Sequence, residues 1–267
     1  MAAKKRRNKR SKTRERDPVT PPGPRGYRSP DLLILYLLFI VINRSIYGVF
    51  RFPAVNLPYT NVAAIVLHGA ILALVSWGYL ARYAGDDVGW FGPSRLQHEA
   101  PRTSGWVRFA WIVGGGGFTW LLATVGLRAV VASLQGVIGG IDPWELGVMG
   151  QMVARGQEAG PVPLVLLAVG MVAVAPLGEE LLFRRCFYQI IVEGLGGQTL
   201  AVLASGLLFA FTHGEPISML RAAVAGVIYA LAYRHTHSTA VCVLMHALFN
   251  ALALVAVALN WSPWLLP

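Results

Sequence analysis

Three short polar clusters interrupt the most apolar stretches of this sequence: Glu179-Glu180-x-x-x-Arg184, Phe209-x-x-x-His213 and His246-x-x-x-Asn250. An ionisable side chain in lipid costs roughly 2.5–3.5 kcal/mol on insertion scales. A chain that bears this cost in three separate apolar segments is assembling one polar site from them. Two carboxylates, an arginine, two histidines and an amide are the parts of a hydrolytic centre.

Helical geometry divides the labour among them. Glu180 and Arg184 are four apart, so on a helix they share a face and can pair. Glu179 is rotated about 100° from Glu180 and keeps its basicity for other work. Glu179 is therefore the expected general base, with Glu180 and Arg184 orienting and holding. The plainer reading of this cluster is a helix end at the membrane interface. The Leu and Phe residues on both sides of it argue otherwise. His213 closes an apolar run, where a lone histidine is more often a packing residue; Glu215 reads as a solvated loop charge. His246 and Asn250 share one stripe and must meet polar partners across the bundle. Taken alone, that pair could be a structural hydrogen bond between helices. Three clusters together favour a single site.

A Glu and a His can hold and deprotonate a water. A second His and an Asn can donate hydrogen bonds to the oxyanion of a tetrahedral intermediate. That combination suits peptide hydrolysis. Alternatively Glu179, His213 and His246 can bind Zn2+ or another divalent metal, which would acidify the water. The sequence has no His-Glu-x-x-His element, no Gly-x-Ser-x-Gly elbow and no persuasive Ser or Cys nucleophile beside a histidine.

The elements that must position these residues are membrane helices. The 267 residues are 55% hydrophobic and 13% charged, with a mean hydropathy of +0.54, whereas a soluble domain is about 25% charged. Apolar runs cover 32–50, 62–80, 109–132, 163–177, 200–213, 219–233 and 240–259. They predict an all-α polytopic membrane helical bundle of about seven, between six and eight, transmembrane helices. Strand-type alternation is absent, which excludes a β-barrel. The run 109–132 contains Gly114-Gly115-Gly116-Gly117, expected either to let helices pack closely or to break the span. Arg44, inside the first run, is expected to snorkel to the interface or to pair inside the bundle.

Residues 1–30 read as a basic, disordered cytoplasmic tail. Its first 28 residues carry eleven Lys and Arg against Glu15 and Asp17, a net +9 that leaves the rest of the chain at +1. Such a tail before the first span stays in the cytoplasm and leans on anionic lipid head groups. Nucleic-acid binding is the rival, disfavoured because the charge run has no aromatic residue for base stacking. With the N-terminus inside, the loop 82–108 also falls inside with Arg82, Arg95, Arg102 and Arg108. The loop 133–160 then falls outside with only Arg155. Residues 31–150 are expected to form N-terminal transmembrane helices and loops, and 151–267 a catalytic membrane core. No cleavable signal peptide is expected, since the basic stretch is too long for an n-region. Cys186 and Cys242 both fall in apolar runs and read as packing residues.

The ordered set Glu-Glu-x-x-x-Arg, Phe-x-x-x-His and His-x-x-x-Asn resembles the CPBP family. That family comprises type II CAAX prenyl endopeptidases and bacteriocin-processing or Abi-like intramembrane proteases. The resemblance covers about residues 160–259. The stretch Gly226 to Ser238 is similar to the Gly-rich stretch usual before the family's last motif. The resemblance implies an all-helical membrane core that opens to the cytoplasm and cuts peptide bonds at or near the bilayer. Prenylated proteins, peptides and membrane proteins are the implied substrates. It places Glu179 and His213 on water activation or metal binding, His246 and Asn250 on the oxyanion or a metal, and Glu180 and Arg184 on the shape of the first motif. A metalloprotease and a metal-free glutamate mechanism both remain open. The sequence departs from the family pattern at Arg185 and His237, where Gly is common. Two other functions suit a membrane bundle of this kind: a non-catalytic membrane adaptor that uses the same fold, and a small transporter, whose signs would be paired broken helices. All motif residues are present, which favours the enzyme.

Overall fold

The computed structural model describes residues 29–50, 59–83, 103–134, 137 and 147–259. The basic tail up to residue 28, and Arg95 and Arg102 of the 82–108 loop, lie outside the described residues. No strand occurs among those described. Eight helices do: α1 Ser29–Phe50, α2 Thr60–Tyr83, α3 Gly105–Ser133, α4 Gly147–Ala159, α5 Pro161–Gly196, α6 Gln198–Ala210, α7 Pro216–Thr236 and α8 Thr239–Ala258. Six of them, all except α4 and α6, are long and apolar enough to cross a bilayer.

The seven predicted runs all become helices, with two differences. The run 163–177 leads straight into the first motif, and α5 carries both as one 36-residue helix. The run 200–213 ends early. Its helix α6 stops at Ala210, and His213 stands in the turn beyond, beside Gly214 at φ 68. With 13 residues, α6 is shorter than the ~20 a span requires. The loop 133–160 contains a helix of its own, α4, which buries Val153 against Leu167 of α5.

α5 is the axis of the molecule. It contributes buried residues to all three apolar clusters: with α1, α2, α6 and α7 around Phe183 and Phe187; with α6, α7 and α8 around Tyr188 and Ile191; and with α2 and α4 around Leu167 and Met171. Residues 180–191 are buried on every side, the charged Glu180, Arg184 and Arg185 included. α1, by contrast, turns Leu33, Ile34, Leu37 and Val41 outward. Arg44 is also exposed, so it does not pair inside the bundle.

Two glycine contacts set the helix spacing around the motifs. A Cβ on Gly178 would lie 2.2 Å from the Gly69 carbonyl oxygen, so α2 and α5 meet backbone to backbone one residue before Glu179. A Cβ on Gly226 would lie 2.8 Å from the Gly206 carbonyl oxygen, which brings α6 against α7 in the same way. Small residues give this closeness in lipid, where no hydrophobic force drives helices together. The Gly114–Gly117 run breaks nothing. α3 passes through it with a wider π-turn at Trp111–Gly115. Gly115 and Gly116 pack on Met245 of α8, and Gly114 and Gly117 have nothing near them.

Candidate active site

α5 reaches the site in a wound-out form. The backbone N–H of Ala175 bonds to Gly170 and that of Tyr188 to Phe183, each five residues back. Such π-turns widen a helix and recur at functional sites. The first has a visible cause. In the same register the carbonyl of Met171 would take the N–H of residue 176, but residue 176 is Pro and has none. Asn250 fills the gap: its Nδ2 donates to the Met171 carbonyl at 2.8 Å. This contact ties α8 to α5 about two turns before Glu179.

The two adjacent glutamates face different surroundings. Glu180 is fully buried. Its Oε2 lies 3.0 Å from Arg184 Nε and its Oε1 lies 2.9 Å from His246 Nδ1. Arg184, equally buried, donates through Nη2 to the Gly226 carbonyl at 3.0 Å. Its guanidinium also rests against two rings, with Cζ 5.1 Å from the centre of Phe209 and 5.5 Å from that of Tyr229. The carbonyl it uses is the one that the Gly206–Gly226 contact brings into place. Glu179 points elsewhere, as the 100° rotation predicts. Its side chain keeps 15% exposure, and its Oε2 stands 3.9 Å from His246 Nε2. That is too far for a direct hydrogen bond, and it is a separation at which one water can touch both atoms.

His213 is held by the turn rather than by a helix. Its Nδ1 lies 3.2 Å from the Phe209 carbonyl and 3.0 Å from Thr212 Oγ1, which leaves Nε2 uncommitted. The Phe209 ring is the shared wall: its centre is 4.9 Å from that of His213 and 5.7 Å from that of His246. Five of the six expected residues thus converge around Phe209 and Glu180. The sixth, Asn250, sits on the same face of α8 as His246 but is committed to Met171. Among the described residues no group of three or more His, Cys, Asp or Glu is arranged to hold a metal. Glu179 and His246 approach each other as two donors, and the third expected ligand, His213, does not complete a set with them.

Several contributors escaped the sequence reading. Tyr229, on α7, packs its ring 5.3 Å from that of His246. His68 is buried on α2 beside Gly69, with its ring 5.8 Å from Phe39. Neither sits in a recognisable pattern; a polar residue one position from a helix-crossing glycine is the only sequence signal for His68. The two departures also find their places. Arg185 is fully buried within the second π-turn. His237 adopts φ 49, the left-handed region that ends α7. That conformation explains why glycine suits the position.

Residues 161–252 match the family model described as Rce1-like, type II CAAX prenyl endopeptidase Rce1-like. The matched segment is about a third of the chain and contains all six site residues. The match supports membership of the CPBP family, and with it a CAAX-type intramembrane endopeptidase in general. With its apolar spanning helices, the chain is a multi-pass membrane protein. No curated protein and no solved structure matches the chain.

Proposed function

Taking the Rce1-like match as premise, we propose that this protein is an endopeptidase in which Glu179 activates water against a peptide bond of a membrane-associated substrate. The observation that carries this is the 3.9 Å gap between Glu179 Oε2 and His246 Nε2, beside a Glu180 that Arg184 and His246 hold in place.

Glu179 Oε2 accepts a proton from the water as its oxygen attacks the scissile carbonyl carbon. The same carboxyl then gives that proton to the departing amine. When Nδ1 of His246 carries a proton it donates to Glu180, and Nε2 is left as an acceptor facing the gap. Glu180 thus fixes the ring orientation of His246 while Arg184 holds Glu180 in place. His213 Nε2 is free to hold the water from the turn side.

The substrate class in this proposal is a lipid-associated peptide, prenylated or embedded in the bilayer. The membrane is the cytoplasmic membrane with the N-terminus inside, and the +9 tail is drawn to its anionic head groups. The test is a comparison of protein termini in cells expressing the wild type or Glu179→Ala at matched levels. New termini confined to the wild type, near membrane segments or lipidated C-termini, are expected. Identical termini from two equally folded proteins would overturn the reading in favour of a non-catalytic adaptor.

A further inference from the structure

Hydrolysis through a tetrahedral intermediate places negative charge on the former carbonyl oxygen, and that charge calls for an aimed hydrogen-bond donor. The charged and amide side chains around Glu179 each already hold a polar partner. Arg184 engages Glu180 and the Gly226 carbonyl. His246 turns Nδ1 to Glu180, and Asn250 gives Nδ2 to Met171.

Tyr229 differs. Its side chain is fully buried and its hydroxyl has no hydrogen-bond partner. The ring lies 5.3 Å from that of His246 with an angle of 31° between the planes, and the Arg184 guanidinium sits 5.5 Å from its centre. The hydroxyl is within electrostatic reach of both Glu179 and Glu180. A buried phenol with nothing to bond is costly, and phenylalanine would fill the same space without that cost.

We propose that Tyr229 is a further catalytic residue, whose phenol donates a hydrogen bond to the oxyanion of the tetrahedral intermediate. The inference rests on the peptidase reading above. As the water oxygen bonds to the carbonyl carbon, one water proton passes to Glu179 and the carbonyl π pair moves onto oxygen. Tyr229 stabilises that oxygen without giving up its proton. The pair returns as the C–N bond breaks, and the amine leaves with the proton from Glu179.

The test uses the full chain in bilayers and a substrate found by the terminus comparison. Tyr229→Phe should lower kcat about 100-fold with KM within about twofold of wild type and a thermal midpoint at or above that of wild type. Tyr229→Leu, which also removes the ring, should lose as much kcat and some stability besides. Loss of KM alone, or a Phe variant within about threefold of wild-type kcat, overturns the assignment and leaves the peptidase reading intact. A wild type no faster than Glu179→Ala overturns the peptidase reading, and this inference with it. Should the Phe variant fail to fold, 3-fluorotyrosine at position 229 keeps ring and hydroxyl and changes the donor's acidity. A shift in kcat then supports the role, and an unmoved kcat overturns it.

Discussion

Glu179 and Glu180 are neighbours of identical chemistry with opposite fates. Glu180 is sealed on every side, with both carboxylate oxygens engaged by Arg184 and His246. Glu179 is left 15% exposed, facing an imidazole it does not touch. One step of 100° along a helix separates a carboxylate sealed between two partners from one left partly open. The same contrast runs through the glycines. Gly178 and Gly226 are pressed against backbone, and Gly114 and Gly117 face open space. In both cases the residue type alone carries no role; its neighbours across the bundle confer it.

The contrast can be broken most forcefully at its sealed side. Glu180→Ala leaves Arg184 buried without its carboxylate, a loss of about 3–5 kcal/mol. Both unfolding stability in detergent and cleavage should fall together. If stability holds, the pair is not the strut described here.

Gly178→Ala comes next. The added methyl would meet the Gly69 carbonyl at 2.2 Å, and overpacking of this kind costs about 1–3 kcal/mol. Cleavage should drop because Glu179 moves with the displaced helix. Gly117→Ala, on the same type of residue, should stay within about 0.5 kcal/mol of wild type. Thermal midpoints of the two variants measured side by side check the difference.

Asn250→Ala sharpens the line between holding and reacting. As an oxyanion donor Asn250 would contribute about 2.7–4 kcal/mol to the barrier. As a tie to the Met171 carbonyl it contributes about 0.6 kcal/mol, the average for a hydrogen bond between membrane helices. The Met171 contact predicts the smaller effect, read as a modest fall in kcat with a small loss of stability.

Much of this was legible in the sequence because lipid makes polar residues conspicuous. The three clusters, the helical class and the different facing of Glu179 and Glu180 all follow from spacing and the cost of burying charge. What spacing could not supply was the partner across the bundle. Nothing local says that His246 reaches Glu180, or that Asn250 answers a carbonyl left bare by Pro176, 74 positions earlier in the chain. Apolar periodicity also could not mark the end of α6 at Ala210, because Phe211 continues the pattern and only Gly214 signals the turn. Tyr229 was hidden for a related reason: tyrosine is common in membrane helices, and only its neighbours reveal an uncommitted hydroxyl.

The most direct measurement is the cleavage rate of bilayer-reconstituted wild type, Glu179→Gln and Glu180→Gln, each with its unfolding stability. Loss of the general base in Glu179→Gln should slow cleavage by about 10²–10⁴-fold while the thermal midpoint stays that of wild type. Glu180→Gln should lose stability along with rate. A Glu179→Gln enzyme that cleaves as fast as wild type would contradict the assignment of Glu179 as the base, and with it the division between the two glutamates.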